Sequence, residues 1–206
     1  MATLIPRPTA AAPAPTLHPC TPAASLDAHR AAFASRRFLA MPLAGTLAWV
    51  VVGIGGATLS TYWASMLLYA ATGGIAYLGI ALSHVTGERF LDKTRPANPF
   101  DRLFFAGVGQ AVLVYAVAIP FALKEPTALP LGVGVLAGLM WLPFSWIVQH
   151  WIGAAHAIGR TLLLVAGHYA FPDHRFVVIP ALVVLCYAFT IPVLERRWRR
   201  LQQPIG

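Results

Sequence analysis

The sequence predicts an all-α membrane protein with six transmembrane helices, N-in and C-in, behind a disordered N-terminal tail. Three observations carry that prediction. Hydrophobic residues fill 58% of the 206 positions and charged residues 11%, against about 25% charged in soluble domains. Six apolar runs follow one another, each near the ~20 residues that a helix needs to cross a bilayer. Of the 15 Lys and Arg, twelve fall on one side of this threading and two on the other, with Arg160 inside a run.

Residues 1–37 read as a cytoplasmic tail. The first 24 are rich in Pro, Ala and Thr and poor in large apolar groups, so they cannot form a core. No basic start followed by an apolar run marks a secretory signal. Ser25 to Arg37 (SLDAHRAAFASRR) predicts a short surface helix capped by Ser25.

The six runs lie at 38–59, 62–82, 103–123, 130–148, 151–171 and 176–194, forming one domain over 38–195. Helices are the expected form, because open strands leave backbone groups unpaired in lipid and no period-two alternation is present. With six crossings, Arg7, Arg30, Arg36 and Arg37, the 83–98 connection and the last residues share a side, which the positive-inside rule makes cytoplasmic. Five crossings would spoil the asymmetry. Residues 196–206 form a basic tail in which Arg196, Arg197, Arg199 and Arg200 are expected to anchor lipid headgroups. Tyr62, Trp63, Tyr169 and Phe171 at one surface, and Trp146, Trp151 and Trp198 at the other, read as aromatic belts.

The long connection ends in Asn98-Pro99-Phe100-Asp101. Asn98 can cap the free amides, Pro99 suits the first helical position and Asp101 favours the helix dipole. Pro143 and Pro180 inside spans predict bends. Gly134 and Gly138 form a GxxxG pair, read as packing within the molecule.

The fifth run holds the chemistry. At 100° per residue, Gly153, His156, Arg160 and Gly167 share one face, while Leu162, Val165 and Ala166 look the other way. A charge inside a membrane segment costs at least about 2.5–3.5 kcal/mol, which makes Arg160 a functional-site candidate. At 1.5 Å per residue, Gln110 lies roughly 10 Å deep and Arg160 roughly 13 Å, with Tyr187 at similar depth and His156 one turn nearer the cytoplasm. No Asp or Glu lies in any run. Arg160, His156, Gln110 and Tyr187 are therefore the expected ligand-binding set, with an anion or a water-filled cavity answering the charge. The bland alternative is a structural tie, from Arg160 to carbonyls at the Pro143 break or to Asp101. His156 is expected to be neutral beside Arg160.

Enzyme templates fail: the chain has no HExxH, no G-x-S-x-G and no Walker loop. The histidine spacings do not make ligand pairs, so no metal or cofactor is expected, and no catalytic residue. The net charge of +8 flanks apolar segments and accompanies no recognition motif, so nucleic acid is not an expected partner. Cys20 and Cys186 do not form a disulfide framework.

Trp49 in a Gly-rich first span, Asn98-Pro99-Phe100 opening the third, Gln110 within it and Leu142–Trp146 (LPFSW) in the fourth resemble a family of uncharacterised bacterial multi-span integral membrane proteins, a domain of unknown function. The resemblance covers about residues 36–195 and leaves the Pro-rich tail and Arg160 unmatched. It implies a compact helical domain of bacterial origin, hence an inner-membrane location, and carries over no catalytic residue.

Two functions are then expected. One is a small permease or ligand-binding protein for an anionic or polar solute. The other is a structural or accessory subunit that binds lipid or a partner protein and has no solute path. An enzyme working at the inner surface ranks third. The sequence leaves the oligomeric state open.

Overall fold

Three helices begin where a side chain takes up their free amides: Ser25 at the first, Glu88 at the second and Asn98 at the fifth. The computed structural model describes residues 25–92 and 94–203, which are helical with short turns and contain no strand. The expected disordered tail, with Cys20, lies outside the described residues. Helix α1 (Leu26–Ala34) starts at Ser25, whose hydroxyl accepts the Ala28 amide at 3.2 Å. Helix α2 (Ala40–Thr58) has no cap of its own. Instead the Glu88 carboxylate, 48 residues on, accepts the amides of Leu39 and Ala40 at 2.9 and 2.7 Å.

The second run is not one straight helix. Helices α3 (Thr61–Gly73) and α4 (Ile75–Val85) meet at a 48° bend. Gly73 and Gly74 offer no side chains to stiffen the turn, and the Thr72 hydroxyl donates back to the Leu68 carbonyl at 2.6 Å. The third run divides into α5 (Pro99–Leu113) and α6 (Tyr115–Lys124) with one irregular residue between them. Asn98 caps α5 as its sequence predicts, accepting the Phe100 amide at 2.9 Å.

The fourth run follows a 3₁₀ turn at Pro126–Ala128 and splits into α7 (Leu129–Gly138) and α8 (Trp141–Val148). The interruption lies just upstream of Pro143, which has no amide to give back to the preceding turn. Pro180 behaves otherwise. Helix α10 (Arg175–Gln202) runs unbroken through both Pro180 and Pro192. It packs against α2 and α9, and Gly53 of α2 lies so close that an added Cβ would sit 3.3 Å from the Pro180 ring. Neighbouring helices help a proline-containing helix to stay continuous in this way.

Helix α9 (Ile152–Ala170) lies among α7, α8 and α10. Its buried side includes Gly153, His156, Arg160, Leu164 and Gly167, and Leu162 and Val165 face outward. Among the described residues four stretches are long and apolar enough to cross a membrane: Ala40–Thr58, Pro99–Lys124, Pro126–Val148 and Pro172–Gln202. The bent α3–α4 pair makes a fifth if it is one span. Helix α9 is also 19 residues long, but its polar side chains lower its hydropathy while they sit inside the bundle.

Candidate ligand site around Arg160

The site begins with two glycines. Gly134 and Gly138 turn toward α9, where an added Cβ would lie 2.6 Å from Leu164 Cδ1 and 3.1 Å from Arg160 Cδ. The GxxxG pair therefore packs within the molecule, and its second glycine makes room for the Arg160 stem. Arg160 is 2% exposed. Among the described residues its guanidinium donates one long hydrogen bond, from Nη1 to the Tyr187 hydroxyl at 3.5 Å, and Nε has no partner. Two aromatic faces hold the charge, Trp49 at 5.6 Å and Tyr187 at 5.8 Å from the central carbon. Such contacts give about 0.5–2 kcal/mol each, less than the several kcal/mol that dehydrating an ion costs.

One turn away, His156 stacks on Trp141 at 4.3 Å between centroids. Its Nδ1 lies 2.8 Å from the Thr190 hydroxyl, which itself donates to the Cys186 carbonyl. A hydroxyl whose hydrogen is committed to a carbonyl can only accept from a neighbour. Nδ1 therefore carries the proton, and Nε2 is a buried acceptor without a partner. The site thus holds an unpaired donor and an unpaired acceptor one helical turn apart.

Arg160 and Tyr187 line a cavity of about 110 Å³. Its walls are mostly aromatic and aliphatic, with Trp49, Trp141, Phe144 and Val133 on the bundle side and Val108, Ala111 and Tyr115 from the third run. Gly73 at the α3–α4 bend and Met140 at the α7–α8 interruption also face it. Irregular backbone is tolerated at membrane depth where it lines such a cavity. Phe38, Glu88, Phe90 and Phe104 line both this cavity and a wider pocket of about 600 Å³ at the Arg-rich end.

The Arg-rich end is an ionic clasp. Arg37 makes a two-pronged bond to Glu195, at 2.9 and 3.0 Å, and reaches the Thr86 carbonyl at 3.2 Å. Arg36 pairs with Asp101, and Asn98 donates to the His29 carbonyl at 2.7 Å. Burial pushes the Glu88 carboxyl above its ordinary value, opposed by the two amides it caps, Thr86 and Arg37.

The sequence-predicted set comes together only in part. Arg160, His156 and Tyr187 are buried neighbours. Gln110 is exposed and lines neither pocket. Depth along α5 places it level with Arg160, but Val108, Ala111, Val112 and Tyr115 take the cavity side, and Gln110 points roughly 150° away from them at 100° per residue. Arg160 does not pair with Asp101, which Arg36 occupies, nor with any carbonyl among the described residues. Of the four expected headgroup anchors, Arg196, Arg199 and Arg200 are exposed. Arg197 instead turns inward and donates to the Ala34 carbonyl. Trp198 lies under the Arg37 guanidinium.

Trp49, Trp141, Thr190 and Glu88 are site residues that sequence reasoning did not select. Trp49 carried a usable signal, since it lies in a Gly-rich run. Thr190 and Glu88 carried none, because their partners are 34 and 48 residues away. Among the described residues no three His, Cys, Asp or Glu side chains converge to hold a metal ion.

A model described as a family of unknown function, DUF7010, matches residues 29–197. No curated protein matches the chain, and no solved structure does.

Proposed function

The chain belongs to the DUF7010 family, and on that premise we propose that it is an integral membrane protein that binds a small anionic or polar solute at Arg160, as a permease or a ligand-binding protein. One observation carries the reading: a buried guanidinium that lines a cavity and has no carboxylate against it. Discontinuous helices around a charged site at mid-depth are a recurring feature of secondary transporters, and here α3–α4 and α7–α8 are both interrupted beside the cavity. The threading is six crossings with both ends in the cytoplasm of a bacterial inner membrane. It takes support from the twelve-to-two charge asymmetry and from the clasp that joins α1, the 83–98 connection and the end of α10 at one level.

A thermal-shift screen of small anions and polar metabolites on the detergent-purified full chain tests this. A true ligand at a hundred times its Kd adds about 2.7 kcal/mol of stability. Arg160→Ala is expected to lose that stabilisation while still inserting in the membrane. Stabilisation that survives in Arg160→Ala removes the site. Cysteine labelling from either side of the membrane at position 149 and in the N-terminal tail tests the threading, and opposite accessibilities overturn it.

A second reading, a structural or accessory subunit without a solute path, rests on the third run. In Pro99–Lys124 the buried residues are Phe100, Ala118 and Ala122, and Leu113, Val117, Phe121 and Leu123 face outward. Lipid or a partner helix can cover that face. Co-purification of a stoichiometric membrane partner, with no anion response, selects this reading.

A further inference from the structure

The cavity's chemistry narrows the ligand beyond its charge. Among the lining residues Arg160 is the one cation and Glu88 the one carboxylate, and Glu88 stands where the cavity meets the wider pocket. A single guanidinium balances one negative charge, and a second charge would lie among Trp49, Trp141, Phe144 and Val133 with nothing to pair it. A planar fork of N–H donors matches the two oxygens of a carboxylate. Apolar walls reward an apolar body and reject a fully hydrated ion such as phosphate. Size sets the scale: an apolar cavity of roughly 150 Å³ holds benzene, so about 110 Å³ suits a somewhat smaller body. The wider pocket carries Arg36, Arg37, Arg95 and Arg102 against Glu88, Asp92 and Asp101, and this small positive excess favours anions at the mouth.

We infer that the Arg160 cavity takes a small monocarboxylate with an apolar body, of the size of butyrate, admitted from the Arg-rich end past Phe38, Phe90 and Phe104. This rests on the reading of Arg160 as a ligand site and names the class of ligand. The carboxylate meets the Arg160 guanidinium, and the hydrocarbon lies toward α5, where Val108 and Ala111 form the wall.

The test is a titration of the purified full chain in detergent with four probes: butyrate, its neutral isostere butyramide, the dianion succinate, and inorganic phosphate. Tryptophan fluorescence is the readout, since Trp49 and Trp141 line the cavity, with the thermal midpoint alongside. Butyrate is expected to bind at least tenfold more tightly than each of the other three. Arg160→Met should abolish the response. Ala111→Phe, which fills the cavity from a helix that is little buried, should weaken butyrate at least fivefold while leaving the midpoint unchanged; it keeps the test decisive if Arg160→Met does not fold. Phosphate or succinate binding that exceeds butyrate and needs Arg160 overturns this inference and leaves the anion-site reading standing. Butyramide binding as tightly as butyrate overturns this inference and leaves a polar-solute site at Arg160 standing; no response to any of the four probes overturns the inference as well. Butyrate binding untouched by Ala111→Phe places the ligand elsewhere and overturns the inference.

Discussion

Arg37 and Arg160 are the same side chain in opposite situations. Arg37 is near the Arg-rich end, partly exposed, and has all three nitrogens engaged by Glu195 and Thr86, with Trp198 beneath it. Arg160 is almost fully buried and makes one long bond to a hydroxyl. Coulomb attraction is stronger in the bundle than at its rim, so a carboxylate would stabilise most where the chain supplies none. The difference teaches how to read buried charge in this fold. A guanidinium with a full set of partners ties elements together, whereas one left with free donors beside a cavity is held ready for something that the chain does not provide.

The largest effect that separates the two belongs to the clasp. Glu195→Ala leaves a partly buried Arg37 without its carboxylate and is expected to cost about 2 kcal/mol, the range for a hydrogen bond to a charged group. Thermal unfolding in detergent measures this. An unchanged midpoint would mean that the clasp is ornamental and that Arg37 and Arg160 do not differ in kind.

A smaller effect sharpens the comparison from the carboxylate side. Glu88 closes the start of α2 from a distant loop. Glu88→Ala is expected to cost about 1 kcal/mol, as the loss of a helix cap does, and Glu88→Gln less, because the amide oxygen can still accept both amides. Hydrogen exchange should speed up at Leu39 and Ala40 in the alanine variant. Equal exchange in all three proteins would show that α2 does not depend on this cap.

Local signals wrote much of the fold plainly. Ser25 and Asn98 cap the helices that their sequence places after them, and the phase of α9 separates the His156–Arg160 side from Leu162 and Val165. What failed was tertiary. Depth alone puts Gln110 level with Arg160, and the rotation of α5, with Val108 and Ala111 on the cavity side, sends it outside. The bend at Gly73 and Gly74 follows from two adjacent glycines, but its consequence, a gap facing Tyr115, needs the neighbouring run to be in place. Glu88 illustrates the limit best. A carboxylate in a loop has no local pattern that assigns it to a helix start 48 residues earlier.

The smallest expected effect is the most telling. Arg160→Met keeps the length and apolar stem of the side chain and removes only the charge. The losses are two cation–π contacts of about 0.5–2 kcal/mol each and a 3.5 Å bond to Tyr187. The gain is relief from dehydrating an ion with no counter-charge, several kcal/mol after relaxation. These nearly cancel, so the ligand-free variant is expected to unfold within about 1 kcal/mol of the parent, or to be slightly more stable. Arg37→Met, with a full set of bonds to lose, should fall by about 2 kcal/mol. A drop in Arg160→Met as large as that in Arg37→Met would make the buried guanidinium a structural tie through Trp49 and Tyr187. An unchanged midpoint together with a lost response to anions would mean that the charge is kept in the bundle for binding, at no benefit to folding.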